Sequence, residues 1–95
     1  MRKYHFTVTS VTRNRRNSAR MWSVSKSLKQ AKYLAEHNAD YMCEHEYEYI
    51  VIEKYEYDMG SMLSEQVQWY RNNGSHVIEI EQPEFAKGLC NFAYH

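Results

Sequence analysis

From Tyr4 to Thr12 the chain alternates apolar and polar positions, with Tyr4, Phe6 and Val8 on one face and threonine and valine recurring throughout. A period of two in β-branched residues predicts a first strand. The alternation lapses over Arg13-Asn14-Arg15-Arg16-Asn17-Ser18-Ala19-Arg20 and resumes at Met21-Trp22-Ser23-Val24, which predicts a hairpin closed by a basic loop at 13–20. The spacing then changes. Leu28, Ala31, Leu34, Ala35, Tyr41 and Met42 recur at helical intervals behind Ser25 and Ser27, and either serine can cap a helix by accepting from a free first-turn amide. A helix over about Lys26 to Cys43 is expected.

Glu46 to Tyr57 returns to a period of two, with Tyr47, Tyr49, Val51, Glu53, Tyr55 and Tyr57 on one side and Glu48, Ile50, Ile52, Lys54 and Glu56 on the other. Ile-Val-Ile at its middle marks a central strand, covered on both faces. Met59-Gly60-Ser61-Met62 reads as a loop, Val67 to Tyr70 as a fourth strand, Asn72-Asn73-Gly74-Ser75 as a hairpin turn, and Val77 to Glu81 as a fifth strand ended by Pro83. The order ββαβββ predicts a single α+β domain over 1–95, a mostly antiparallel five-stranded sheet with one main helix on one face. A crossover through the helix sets strand three antiparallel beside strand one. The tail 82–95, with Phe85, Leu89, Phe92 and Tyr94, is too apolar to stay in water and is expected to dock. One helix shields one sheet face, so the other needs the tail or a second copy, and a homodimer is expected.

The 95 residues suffice for one core and leave no room for a second domain, and the 15% aromatic content is that of a folded chain. Neither a signal-peptide stretch nor a run long enough to span a membrane occurs, so a cytoplasmic protein with no membrane partner is expected. Cys43 and Cys90 read as free thiols in a reducing compartment.

Charge changes the picture more. The net charge is zero, yet residues 1–35 hold nine bases and no acid, and residues 36–58 hold eight acids against the single base Lys54. This segregation points to binding. Arg13, Arg15, Arg16 and Arg20, interleaved with asparagine and serine, are the residue types that grip phosphate, because the guanidinium fork matches its oxygens. The same hairpin lies at the sheet end where the helix finishes, close to Asp40, Glu44, Glu46 and Glu48, so self-pairing competes with an acidic protein or nucleic acid as its partner. Lys26 and Lys29 are similarly expected near Glu56 and Asp58. Tyr47, Tyr49, Tyr55, Tyr57 and Trp69 either line a partner surface or pack inside; the glutamates between the tyrosines repel phosphate and weigh against base stacking.

His37, Cys43 and His45 lack the paired spacing of a structural zinc site, so no metal is expected, and no cofactor. No nucleophile elbow, phosphate-cradling glycine loop or His-Glu-x-x-His occurs, so no catalytic residue is assigned and a non-enzymatic protein is expected. Over the C-terminal half, Tyr49-Ile50-Val51-Ile52-Glu53-Lys54-Tyr55-Glu56, Gln68-Trp69-Tyr70 and Ile80-Glu81-Gln82-Pro83-Glu84 together resemble the small accessory proteins encoded by tailed bacteriophages. That resemblance implies a short protein that acts in the host cytoplasm on a host factor. The expected function is therefore a non-enzymatic binding module that modulates or inhibits a host macromolecule, with a host protein as the expected partner. Nucleic-acid binding through the 13–20 hairpin is the alternative, and small-ligand binding between subunits is a further one.

Overall fold

The computed structural model describes residues 3–12, 15–37, 47–58, 61–72 and 77–87. They form β1 (Lys3–Thr12), β2 (Arg15–Ser25), α1 (Leu28–Glu36), β3 (Tyr49–Asp58), β4 (Ser61–Asn72), β5 (Val77–Ile80) and a single 3₁₀ turn, Glu84–Ala86. The fold is α+β, with one antiparallel sheet in the order β2-β1-β3-β4-β5 and β3 at its centre. Strand three does lie antiparallel beside strand one.

The register explains why β3 carries large side chains on both faces. Ile50 pairs with Ser10 and Tyr70, and Ile52 pairs with Val8 and Gln68. These rows face α1, where Phe6, Val8, Ile50, Ile52 and Tyr70 meet Ala31 and Ala35 in one buried cluster. Alanines at i and i+4 let the helix backbone settle close onto the sheet, and each buried aliphatic side chain stabilises the fold by about 1.5–3 kcal/mol. Ser27 starts the helix by accepting the Gln30 amide at 3.1 Å, and the cap geometry places Ser27 outside the helix proper.

The alternate rows face away from α1. Val11, Tyr49, Val51 and Trp69 form a second buried cluster closed by Ala86, with Phe85 and Ile80 packed against it. Phe85 lies 5.4 Å from the Tyr49 ring and 5.8 Å from the Trp69 ring, so the start of the tail covers this half of the second face within the same chain. Gln66 fastens it there: its Nε2 donates to the Ala86 carbonyl at 3.3 Å, and its Oε1 accepts from Trp69 Nε1 at 2.9 Å and from Gln82 Nε2 at 2.6 Å.

Three boundaries differ from those the pattern predicts. Arg15 to Arg20 belong to β2 rather than to a loop, with Thr12 opposite Arg15 and Ser10 opposite Arg20. An edge strand takes its hydrogen bonds from its neighbour and needs no apolar alternation of its own, which is why the pattern missed it. For the same reason β4 begins at Ser61, beside Asp58, and not at Val67. The helix described ends at Glu36 with His37 as its C-cap; Tyr41, Met42 and Cys43 lie outside the described residues, as do Leu89, Phe92 and Tyr94 of the tail and the 73–76 turn.

Both outer strands are poor templates for further pairing. The β2 ladder is irregular at two points, between Val8 and Thr9 and between Ser10 and Thr12, and its sequence carries three arginines. β5 is four residues long, with Glu79 exposed, and Pro83 follows shortly after it. Bulges, charges, short length and proline are how sheets keep their edges unpaired.

Candidate interaction surface

The tyrosine stripe packs inward. Tyr49, Tyr55 and Trp69 are buried, and Tyr47 is half-buried against the helix-side cluster, so these four do not form an open aromatic platform. The physical cause is the second layer: the 3₁₀ turn covers Tyr49 and Trp69, which a reading of alternation alone cannot foresee. Tyr57 pairs with Lys3 through its backbone. Arg15, Arg16 and Arg20 lie on the β2 backbone, and Arg13, Asp40, Glu44 and Glu46 fall outside the described residues. His45 and Cys43 also lie outside them; among the described residues no group of His, Cys, Asp and Glu is placed to hold a metal ion.

A polar cluster occupies the rest of the face away from α1. Glu53 sits opposite Thr7 of β1 and Gln66 of β4, and it is fully buried. The Tyr55 hydroxyl donates to Glu53 Oε1 at 3.1 Å, and the Tyr55 ring stacks on His5 at 5.4 Å with the planes 12° apart. Burial holds the His5 pKa below its ordinary value, which favours the neutral imidazole in that stack. The Thr7 and Thr9 hydroxyls are buried beside this cluster without a hydrogen-bond partner among the described residues.

On the helix side, Tyr70 donates its hydroxyl to Glu36 Oε2 at 3.2 Å and ties the end of α1 to β4. Burial first, and then the Glu36 carboxylate, push the Tyr70 hydroxyl far above its usual pKa, so it stays a donor. Beyond the start of α1 the same face opens into a shallow cleft of about 350 Å³ with Lys54, Glu56, Ser64 and Glu65 along its walls. Lys54 Nζ binds Glu56 at 3.1 Å and lies 4.9 Å from the Tyr4 ring centroid.

These contacts change the charge picture. Glu56, expected near Lys26 and Lys29, is taken by Lys54 two residues before it on the same strand face. Glu84 is likewise taken by Lys87 at 2.9 Å. Lys26 and Lys29 are exposed and Lys32 half-exposed, and none of the three forms an ion pair among the described residues. The fold therefore spreads the sequence dipole across the sheet. Residues 15–36, which build β2 and α1, hold six bases and one acid, Glu36, whereas residues 61–87, which build β4, β5 and the 3₁₀ turn, hold four glutamates against Arg71 and Lys87. The helix keeps its lysines despite the cost: no acid occupies its first turn and no base its last, an arrangement that opposes the macrodipole by a few tenths of a kcal/mol per charge.

Sequence reasoning named the arginines of this side and not the outer ridge of α1. Lys29, Tyr33 and His37 recur at i, i+4 and i+8 opposite the apolar Leu28, Ala31 and Ala35, a spacing that was present in the sequence. Comparison with protein-family models, curated proteins and solved structures finds no match to this chain. No helix among the described residues is long and apolar enough to cross a membrane.

Proposed function

We propose that the chain is a non-enzymatic binding module, a phage-type accessory protein that binds a host protein in the host cytoplasm and modulates or inhibits it. The observation that carries this reading is the basic start of α1, where Lys26 and Lys29 are exposed and free of ion pairs among the described residues. A surface that breaks local helix rules and forms no ion pair among the described residues is suited to an acidic partner. The resemblance of the C-terminal half to phage accessory proteins supplies the context.

The test is capture from a bacterial lysate by the tagged protein, followed by mass spectrometry, with the Lys26→Glu, Lys29→Glu, Lys32→Glu variant as comparison. Wild type is expected to enrich a host protein that the charge-reversed variant loses. Equal capture by both, or no capture alongside turnover in enzyme screens, removes the reading.

Nucleic acid is the second reading, favoured by the position of Arg15, Arg16 and Arg20 together on the edge strand β2. Its signature is binding to single-stranded DNA that weakens steeply with salt, because phosphate contacts release counterions. A homodimer is also proposed, with the basic β2 side of one copy against the acidic β4–β5 side of another; light scattering then reads twice 11.5 kDa, and a mass of 11.5 kDa at micromolar concentration rules it out. A small-ligand site between subunits depends on that dimer.

A further inference from the structure

The outer ridge of α1 carries an aromatic side chain that the core does not use: Tyr33 is 60% exposed. Its ring is nevertheless fixed. It stacks on the His37 ring at 4.1 Å with the planes 22° apart, and His37 Nδ1 lies 2.8 Å from the Tyr33 carbonyl oxygen. Because the tyrosine has few torsions and these are held by the stack, little side-chain entropy remains to be lost when a partner covers it. Lys29 stands one turn before Tyr33 on the same ridge, with Lys26 beyond it at the start of the helix. A rigid aromatic residue with exposed lysines at one end of its ridge has the composition of an interface anchor, where tyrosine carries energy and the nearby charges set approach and orientation.

The charges at the other end of the ridge decide the class of partner. Glu36, one turn past Tyr33, is exposed, and Glu79 is exposed beside Tyr70, the residue that holds Glu36. A nucleic-acid strand carries a phosphate at every step, so a strand laid along α1 from the lysines past Tyr33 runs into these carboxylates. A protein surface carries its acids at discrete positions and meets no such conflict. We infer that Tyr33 anchors the interface of α1 with an acidic protein surface, which sets carboxylates against Lys26 and Lys29 and an apolar pocket over the Tyr33 ring; this rests on the binding-module reading proposed above.

The experiment is fluorescence anisotropy of the full chain with three labelled probes: poly-glutamate, a random copolymer of glutamate and tyrosine, and oligothymidylate. Wild type is expected to bind the copolymer roughly tenfold or more tightly than poly-glutamate, the factor that one well-covered anchor supplies. Tyr33→Ala is expected to abolish that preference and leave poly-glutamate binding unchanged, whereas Tyr33→Phe retains it and Lys26→Glu with Lys29→Glu loses both acidic probes. Thermal melts are expected to match wild type for the Tyr33 variants, since an exposed side chain contributes little to the fold. Equal affinity for the two acidic probes, or a preference that survives Tyr33→Ala, overturns the anchor and leaves the charge-based reading standing. Tighter binding of oligothymidylate than of the copolymer overturns the protein partner in favour of nucleic acid. A mass that grows with protein concentration in wild type and not in Tyr33→Ala assigns the ridge to a second copy instead, and absence of binding to every polyanion removes the binding-module reading and the inference with it.

Discussion

Replacing Trp69 by alanine is expected to cost about 3–5 kcal/mol of stability, the range for deleting a large aromatic side chain from a packed site. Trp69 lies at the junction of three structural parts. Its ring packs edge-on to Tyr49 at 6.1 Å and to Phe85 at 5.8 Å, and its indole N–H donates to Gln66 Oε1 at 2.9 Å. Alanine leaves a cavity under the 3₁₀ turn and removes one of the two donors shown at Gln66 Oε1, whose Nε2 holds the Ala86 carbonyl. In a domain whose whole stability is on the order of 5–15 kcal/mol, such a loss takes about a fifth or more, and the melting temperature falls by roughly 15–30 °C. Urea unfolding followed by circular dichroism measures it. A loss below about 1 kcal/mol would mean that the turn does not depend on this face and that the second cluster contributes little to the fold.

The same cluster bears on self-association. The need to cover the second sheet face was the main reason to expect a homodimer from sequence, and Phe85 and Ala86 meet part of that need within one chain. What remains for a dimer is the charge gradient from β2 to β5, which orients association more than it drives it.

The sequence carried the fold where side chains face a layer and failed where they do not. Phe6 and Val8 on β1, and Ile50 and Ile52 on β3, show their period because one face of each strand is pressed against Ala31 and Ala35. Residues 15–20 and 61–66 show none, since β2 is an edge and the early part of β4 has, among the described residues, a strand neighbour, β3, on one side alone. Alternation did place Tyr49, Glu53 and Tyr55 on one face, and the register keeps them there. It held no information on what lies over that face, because the 3₁₀ turn arrives from Glu84–Ala86, far later in the chain, through Gln66 contacts that no local pattern signals. Sequence also left open which charges pair: pairing of Lys54 with Glu56 at i, i+2 on one strand is as available as pairing across elements, and among the described residues it leaves the α1 lysines without an ion pair.

Tyr55→Phe is expected to destabilise the protein by about 1–3 kcal/mol although it deletes a single oxygen atom. Glu53 is a fully buried carboxyl at the centre of the sheet, and the Tyr55 hydroxyl supplies one of its hydrogen bonds at 3.1 Å. Phenylalanine keeps the ring and its stack on His5, so the change isolates the hydroxyl. The carboxyl then has one donor fewer in a place water does not reach, and the cost is that of an unmet polar group in low dielectric rather than that of an average hydrogen bond. Tyr70→Phe provides the internal control, because its hydroxyl also donates to a carboxylate, at 3.2 Å, but Glu36 is exposed and regains water when the hydroxyl is lost. That control is expected to cost the ordinary 0.5–1.5 kcal/mol or about that. Parallel urea titrations of the two variants decide the matter through their order: Tyr55→Phe must be the more damaging. If Tyr70→Phe costs as much or more, the Glu53 carboxyl is solvated in solution, and the face away from α1 is open over Glu53 rather than covered.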